Sequence, residues 1–408
     1  MQNRRYSAGG RAGRKPAAHG RSNFNRSGGS RPSFKRGGRR GTYIDPSRFV
    51  KAAKPVEEVV YNPENKFEDF NIEDILKRNL VDRGYKLPSQ IQDKTIPIAL
   101  EGADVVGVAN TGTGKTAAFL LPVLNYLINH RNRQAIIMAP TRELAIQIQT
   151  EAKLFSKGIR MQDALLIGGV PIHRQFADLK RRPSIIIGTP GRIKDHLERR
   201  SLKLDNATKV VLDEVDRMLD MGFVNDIREI LSHLPEKRQS FFFSATISPA
   251  IETLIQTFTY KPVTIMARTS ETSDNVEQSV TYYSGKTEKM DKLHDLLISD
   301  EVNKTLVFTE TKHGADKLTK SLVERGFKAD AIHGNKSQSK RQRALGKFRN
   351  SEIEVLVATD VAARGIDVDG ISHIINYEVP QTYDDYTHRI GRVGRAGNTG
   401  RAITLIEK

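Results

Sequence analysis

The 408-residue sequence contains no cysteine. Disulfide frameworks, Cys-based zinc sites and thiol nucleophiles are therefore excluded, and the composition suits a reducing compartment, so a cytoplasmic protein is expected. Long apolar runs are missing too. The most apolar stretch, 117–128, is interrupted by Pro122 and Asn125 and falls short of the roughly 20 residues that cross a bilayer. No membrane association is expected. The N-terminus lacks the apolar core of a signal peptide. The ten histidines show no metal-ligand spacing such as HExxH, so no structural metal is expected. Acid is missing from the first 44 positions, which hold twelve Lys and Arg before Asp45 appears. The whole chain carries 65 basic and 48 acidic side chains, +17, which leaves 53 against 48, or +5, to residues 45–408.

Residues 1–44 interleave Arg, Gly and Ser with Tyr6, Phe24, Phe34 and Tyr43. Such a segment cannot bury enough apolar area to offset its ordering entropy, and a disordered tail is expected. An organellar transit peptide shares the Arg- and Ser-rich, acid-poor composition. It would form an amphipathic helix, however, and residues 1–44 contain nine Gly and, Met1 aside, one large aliphatic residue, Ile44. Residues 45–66 read as a connecting segment. From Phe67 onward short apolar runs (105–109, 135–139, 164–167, 184–187, 209–212, 240–243) alternate with amphipathic stretches such as 143–155, 192–199 and 224–234. That rhythm predicts βαβ units around a parallel sheet. The polar, aperiodic stretch 268–275 reads as a linker. Beyond it the rhythm resumes, with strands expected at 279–283, 305–309, 329–332, 354–358, 373–377 and 402–406. Two α/β domains, 67–267 and 276–408, follow.

Three motifs carry chemistry. The run Ala109-Asn-Thr111-Gly112-Thr113-Gly114-Lys115-Thr116 follows one predicted strand and precedes a helix, the context of a phosphate loop. Gly112 and Gly114 let backbone N–H groups turn toward phosphate oxygens at a helix N-terminus. Lys115 would reach the β- and γ-phosphates of ATP, and the Thr116 hydroxyl would ligate Mg²⁺. Gly285-Lys286-Thr287 looks similar, but the preceding 280–284 are strand formers without glycine, so one ATP per chain is expected. Second, the apolar run 209–212 ends in Asp213-Glu214-Val215-Asp216, as P-loop ATPases present a Mg²⁺ ligand (Asp213) and a water-activating base (Glu214). Third, His388-Arg389-Ile-Gly391-Arg392-Val-Gly394-Arg395 is either a solvated cationic helix end or a pair of arginine fingers, Arg392 and Arg395, for the γ-phosphate.

With these motifs, residues 67–408 resemble a DEAD-box RNA helicase of superfamily 2 in a DEVD variant. The resemblance implies two tandem RecA-like P-loop domains, ATP and Mg²⁺ as cofactors, and RNA, single-stranded or short duplex, bound without sequence preference. Gly84-Tyr-Lys-Leu-Pro-Ser-Gln-Ile-Gln92 is similar to the Q motif, which implies that Gln92 reads adenine and Phe67 stacks on it. Pro140-Thr141-Arg142-Glu143-Leu144, Gly168-Gly169 and Thr189-Pro190-Gly191-Arg192 match RNA-backbone motifs. In the second domain Gln338, Arg341, Thr359 and Asp360 match further RNA-contacting positions, and Asp367 is expected at the ribose. Ser244-Ala245-Thr246, with Asp216, would couple hydrolysis to strand separation. Residue chemistry supports this independently. Arg142, Thr189–Arg192 and Thr359 follow predicted strands, the edge where open parallel sheets bind ligands, and hydroxyls, arginines and bare glycine amides hold phosphates without reading bases.

Three departures stand out: Val215 replaces the usual Ala, Val393 the usual Thr, and Lys408 follows directly on the last strand. Other readings remain open on residues alone. A DNA-directed relative would share every motif, because contacts to a 2′-hydroxyl are not visible in them. An RNA scaffold or annealer would rely on the basic tail, and a P-loop kinase would leave the second domain unexplained. Protein partners are not legible.

Overall fold

A computed structural model describes residues 44–53, 61–110, 112–267, 275–299, 302–363, 368, 370–394 and 400–408. Residues 1–43, expected to be disordered, and 268–274, expected to link the domains, lie outside the described residues.

Among the described residues thirteen strands form two sheets. The first contains β1 (Val105–Val108), β2 (Gln134–Met138), β3 (Asp163–Leu166), β4 (Ile185–Gly188), β5 (Ala207–Leu212), β6 (Gln239–Ser244) and β7 (Val263–Met266), in the order β3-β4-β2-β5-β6-β1-β7. The second contains β8 (Val276–Tyr283), β9 (Thr305–Phe308), β10 (Ala329–Ile332), β11 (Val355–Ala358), β12 (His373–Asn376) and β13 (Gly400–Glu407), in the order β10-β11-β9-β12-β13-β8. Every pairing within the two sheets is parallel.

Both faces of a parallel sheet are covered by crossover helices, which is why its strands are continuous apolar runs. Alternate residues serve opposite faces. In β2, Ala135 and Ile137 enter one core cluster, whereas Ile136 and Met138 enter the other. In β9, Leu306 and Phe308 divide from Val307 in the same way. Helix starts follow local chemistry. Thr141 Oγ1 accepts from Leu144 N (3.3 Å) ahead of the helix Arg142–Phe155, and Ser337 Oγ from Lys340 N (3.4 Å) ahead of Gln338–Arg349. Each cap satisfies one of the N–H groups a helix start leaves unpaired.

The stretch 45–66, expected only to connect, is built into both halves. Asp45 caps the 3₁₀ turn Pro46–Phe49 through Ser47 N (2.9 Å). Phe49 is fully buried in the core of the second sheet, edge-on to Tyr386 at 4.7 Å, and the Arg48 guanidinium lies 3.9 Å from the centre of the Tyr383 ring. Lys51 and Gln278 exchange backbone hydrogen bonds (3.0 and 2.8 Å) as an antiparallel bridge on β8. Farther along, Tyr61 Oη, Glu64 N, Asn65 N and Asn65 Nδ2 all donate to the Asp93 carboxylate in the first half. An isolated aromatic in a polar segment gives no periodic signal, so this strap was not legible.

Candidate active site

The phosphate loop spans 109–114, between β1 and the helix Lys115–Asn129, with Gly112 and Gly114 left-handed at φ 83° and 91°. At Gly114 a Cβ would collide with Gln92 Nε2, so the close approach demands glycine. Gln92 is fixed on both sides: its Oε1 accepts from Ser89 N (2.9 Å) and its Nε2 donates to Gly114 O (3.1 Å). Ser89 Oγ donates to Thr113 O (2.7 Å), and Thr113 Oγ1 to Asn110 O (2.9 Å). Lys115 is buried and donates to Ala109 O at 2.8 Å. Phe67 is also buried, edge-on to Phe70 and Tyr85. Thr111 lies outside the described residues.

Asp213 and Glu214 leave the end of β5 and are both buried. Glu214 caps the helix Val215–Asp220 in a left-handed conformation (φ 54°). Burial pushes the Asp213 carboxyl up to about 6 against the pull of Lys115, with Glu214 adding to the rise. Burial would also raise Glu214, yet Arg217, Arg392, Lys115 and His388 together hold its carboxyl below the usual range. Glu214 thus stays ionised, with Arg217 Nη1 3.4 Å from its Oε2, and that oxygen has no hydrogen-bond partner among the described residues. A buried, costly carboxyl beside an orphaned carboxylate oxygen and an open glycine cradle fits a bound nucleotide with its divalent cation.

Asp216 points to the end of β6. Its Oδ2 accepts from Ala245 N (3.0 Å) and Thr246 N (3.2 Å), and its own N–H donates to Ser244 Oγ (3.3 Å). Val215 is fully buried in the core under β5. Val393 is buried in the second core, against Gly400.

The second half closes on this cluster. Arg392 is buried and acts electrostatically on Glu214, and His388 Nδ1 lies 3.3 Å from Arg217 Nη2. Arg389 does not enter the cluster. It anchors the arginine-bearing helix Tyr383–Ile390 by a bidentate pair with Asp360 (2.6 and 2.8 Å) and by donating to Asn376 Oδ1 and Glu378 O. Asp360 is therefore occupied by Arg389. Arg395 and Asp367 lie outside the described residues.

The remaining motif residues line the carboxyl ends of the strands. Thr141 and Thr189 cap the helices Arg142–Phe155 and Pro190–Glu198. The Arg142 guanidinium lies directly on Gly168 and Gly169; a Cβ on Gly168 would come within 2.8 Å of Nη2. Arg192 Nη1 donates to Val170 O (3.2 Å) and Gln175 Oε1 (3.1 Å). Gln175 Oε1 also lies 2.9 Å from His196 Nε2, so a buried network that sequence reasoning missed holds Arg192. Pro190 opens that helix and Gly191 follows it. Thr359 directly follows β11, and its carbonyl accepts from Ala362 N and Ala363 N. Gln338 and Arg341 are buried against the first half: Gln338 Nε2 donates to Glu143 Oε1 (3.0 Å), and Arg341 Nη2 lies 2.8 Å from Glu143 Oε2. Arg217 was missed as well, although its position three residues after Glu214 on one helix was a usable signal.

Two parallel α/β sheets, one phosphate loop and cations meeting it from the second sheet define a nucleotide-hydrolysing machine of two RecA-like domains. The family description "DEAD/DEAH box helicase" matches residues 89–254, and "Helicase conserved C-terminal domain" matches 288–397. The chain is 44% identical over 345 residues to the ATP-dependent RNA helicase CshA of Limosilactobacillus reuteri, covering 84% of this chain and 69% of that protein. Among solved structures it is similar to S. cerevisiae Dbp5 bound to RNA and ADP BeF3, with 28% identity, coverage of 84% and 90% of the two chains, and a TM-score of 0.73. A DEAD box protein from Methanococcus jannaschii is 38% identical, with coverage of 84% and 93%, and superposes with a TM-score of 0.51. Despite its lower identity, the RNA- and nucleotide-bound Dbp5 superposes better over the two domains. The chain belongs to the DEAD-box family of ATP-dependent RNA helicases; its partners are ATP and RNA. Among the described residues no helix is long and apolar enough to cross a membrane.

Proposed function

We propose that the protein remodels short RNA duplexes or RNA–protein complexes locally, gripping the RNA backbone without sequence preference and hydrolysing one ATP in the cleft per cycle. The observation that carries this reading is the meeting of Lys115, Asp213 and Glu214 from residues 67–267 with Arg392 from residues 276–408 in one buried cluster. In this reading residues 111–116 cradle the phosphates while Gln92 and Phe67 receive the adenine. Thr116 and Asp213 would hold Mg²⁺, which when bound supplies positive charge against the phosphates. Glu214 orients water and takes its proton as the new bond to the γ-phosphorus forms and the bond to the β,γ-bridging oxygen breaks. Arg392 and Arg395 stabilise the charge that develops, and Asp367 holds the ribose.

On the RNA side, Pro140, Thr141, Arg142, Gly168, Gly169 and Thr189–Arg192 would hold one stretch of backbone. Thr359, Asp360, Gln338 and Arg341 serve the other half, by contact or by fixing its position. The pairing of Glu143 with Gln338 and Arg341 supports a latch between the halves, and the Asp216 contacts to residues 244–246 support the coupling role of Ser244 and Thr246. Residues 1–44 would tether RNA nonspecifically, and a cytoplasmic location belongs to the same reading.

The test is ATP turnover against polynucleotide identity, for the full chain and for a deletion of residues 1–44. Strong stimulation by RNA and little by DNA is expected. The deletion should flatten the salt dependence of RNA affinity and leave maximal turnover unchanged. Equal stimulation by single-stranded DNA would overturn the RNA assignment.

A further inference from the structure

The phosphate-loop, acidic and RNA-backbone motifs of the first half stand at the carboxyl ends of its strands, yet a group of unneutralised cations lies at the amino ends. There a cavity of about 570 Å³ opens between the segments that lead into β2, β4 and β5. Its lining includes Arg131, Arg133, Arg182, Arg200 and Lys203, with Asp205 as the one carboxylate. With strands of four to six residues, the two edges stand roughly 13–20 Å apart at about 3.3 Å per residue.

None of the five cations has an ion pair or side-chain hydrogen bond among the described residues. Their neighbours behave differently: Arg181 pairs with Asp178, and Arg199 with Asp195. Arg182 and Arg200 each follow the capping residue of a helix, Ile172–Lys180 and Pro190–Glu198, and both are left-handed at φ 54°. Glycine ordinarily takes that position, because a side chain there costs about 1 kcal/mol. A cation near a helix C-terminus recovers about 0.3–1 kcal/mol from the dipole, which at best offsets that cost. Arg131 likewise follows the capping residue His130 of the helix Lys115–Asn129, but the dipole says nothing of Arg133 and Lys203, which lie on loops. Five like charges brought around one concavity with a single carboxylate, Asp205, repel one another, and a bound polyanion reverses that penalty.

We propose that this cavity binds RNA phosphodiesters that flank the segment held at the carboxyl edge, so that the first half grips one RNA at two opposite edges. The proposal rests on the RNA reading above and adds a site to it. Guanidinium–phosphate contacts there position the strand and carry no base specificity.

The test uses the full chain and oligouridylates of two lengths, one that fills only the motif edge and one several times longer. A variant combining R131A, R133A, R182G and R200G removes four cations, and glycine at the two left-handed positions relieves backbone strain, so folding is spared. Binding is read by fluorescence anisotropy across a salt series. For the long RNA we expect a more than tenfold loss of affinity at low salt. The slope of log affinity against log salt should become shallower by about 0.7 for each phosphate that the variant no longer neutralises. Affinity for the short RNA and RNA-saturated ATP turnover should not change, and the four-lysine counterpart should restore the slope. An unchanged slope with the long RNA, or equal losses on both lengths, overturns the site while leaving the helicase reading intact. Wild type that neither binds oligouridylate nor hydrolyses ATP faster in its presence overturns both.

Discussion

Counted from its own first strand, each sheet runs third, fourth, second, fifth, sixth, first, and the first-half sheet continues with β7 beside β1. The two halves are thus one architecture used twice, and they diverge just after that first strand. In the first half six residues, 109–114, separate β1 from the next helix, with two left-handed glycines among them. In the second half only Ser284 intervenes between β8 and the helix Gly285–Leu297. Gly285-Lys286-Thr287 repeats the residue types of Gly114-Lys115-Thr116, but the chain has no slack from which to form a cradle. Nucleotide binding therefore resides in the spare length between strand and helix, not in the strand order. The second half contributes cations instead, with Arg389 as the anchor and Arg392 in the shared cluster.

Substitutions can break this division of labour. Glu214→Gln should lower RNA-stimulated ATP turnover by about a thousandfold, within the span of general-base effects, while ATP-dependent RNA binding persists. Retention of even a tenth of the activity would take the base role from Glu214. Glu143→Gln leaves Arg341 without its carboxylate. Because breaking a buried pair costs about 3–5 kcal/mol, the halves should separate, visible as a larger radius of gyration by X-ray scattering and at least a tenfold loss of RNA stimulation. Phe49→Ala should destabilise the second half by about 3–5 kcal/mol, read as faster hydrogen exchange in β8 and the helix Tyr383–Ile390 with no change in β2 or β5.

Acid should act on the first half through His196. Burial pushes its imidazole down to about 4, with Arg192 adding to the fall, so folding favours the neutral ring. Stability from this source is complete above pH 6.5 and is lost toward pH 4, at about 1.4 kcal/mol per pH unit. Urea midpoints across that range should fall in wild type and lose this component in His196→Asn. The smallest effect is the most diagnostic of the comparison: Lys286→Ala should alter ATP affinity by less than about twofold, whereas Lys115→Ala abolishes measurable turnover.

How much of this could be read from sequence followed from burial. Strands covered on both faces, such as β2, β5 and β9, declared themselves as apolar runs within two residues of their true ends. The edge strand β7 did not, because Val263, Thr264 and Met266 are exposed and Ile265 alone is buried. The site divided along similar lines. Lys115, Asp213 and Glu214 are announced by local strand–loop–helix context. The contacts of Glu143 with Arg341, Arg217 with His388 and Phe49 with Tyr386 join residues about 170 or more positions apart and leave no periodic trace. The resemblance placed Gln338, Arg341 and Asp360 at the RNA, yet their nearest partners here are protein groups.

The strap at 44–53 gives the molecule a mechanical property that one connector would not. The polypeptide passes between the halves twice, once from residue 53 to residue 61 and again from 267 to 275. Each passage has eight Cα steps, which at full extension span roughly 28 Å at most. Two connections of equal maximum reach bound the separation of the halves at two points instead of one. The second passage therefore caps how far the halves can part even where the first is slack, and so limits how far Arg392 can withdraw from Glu214.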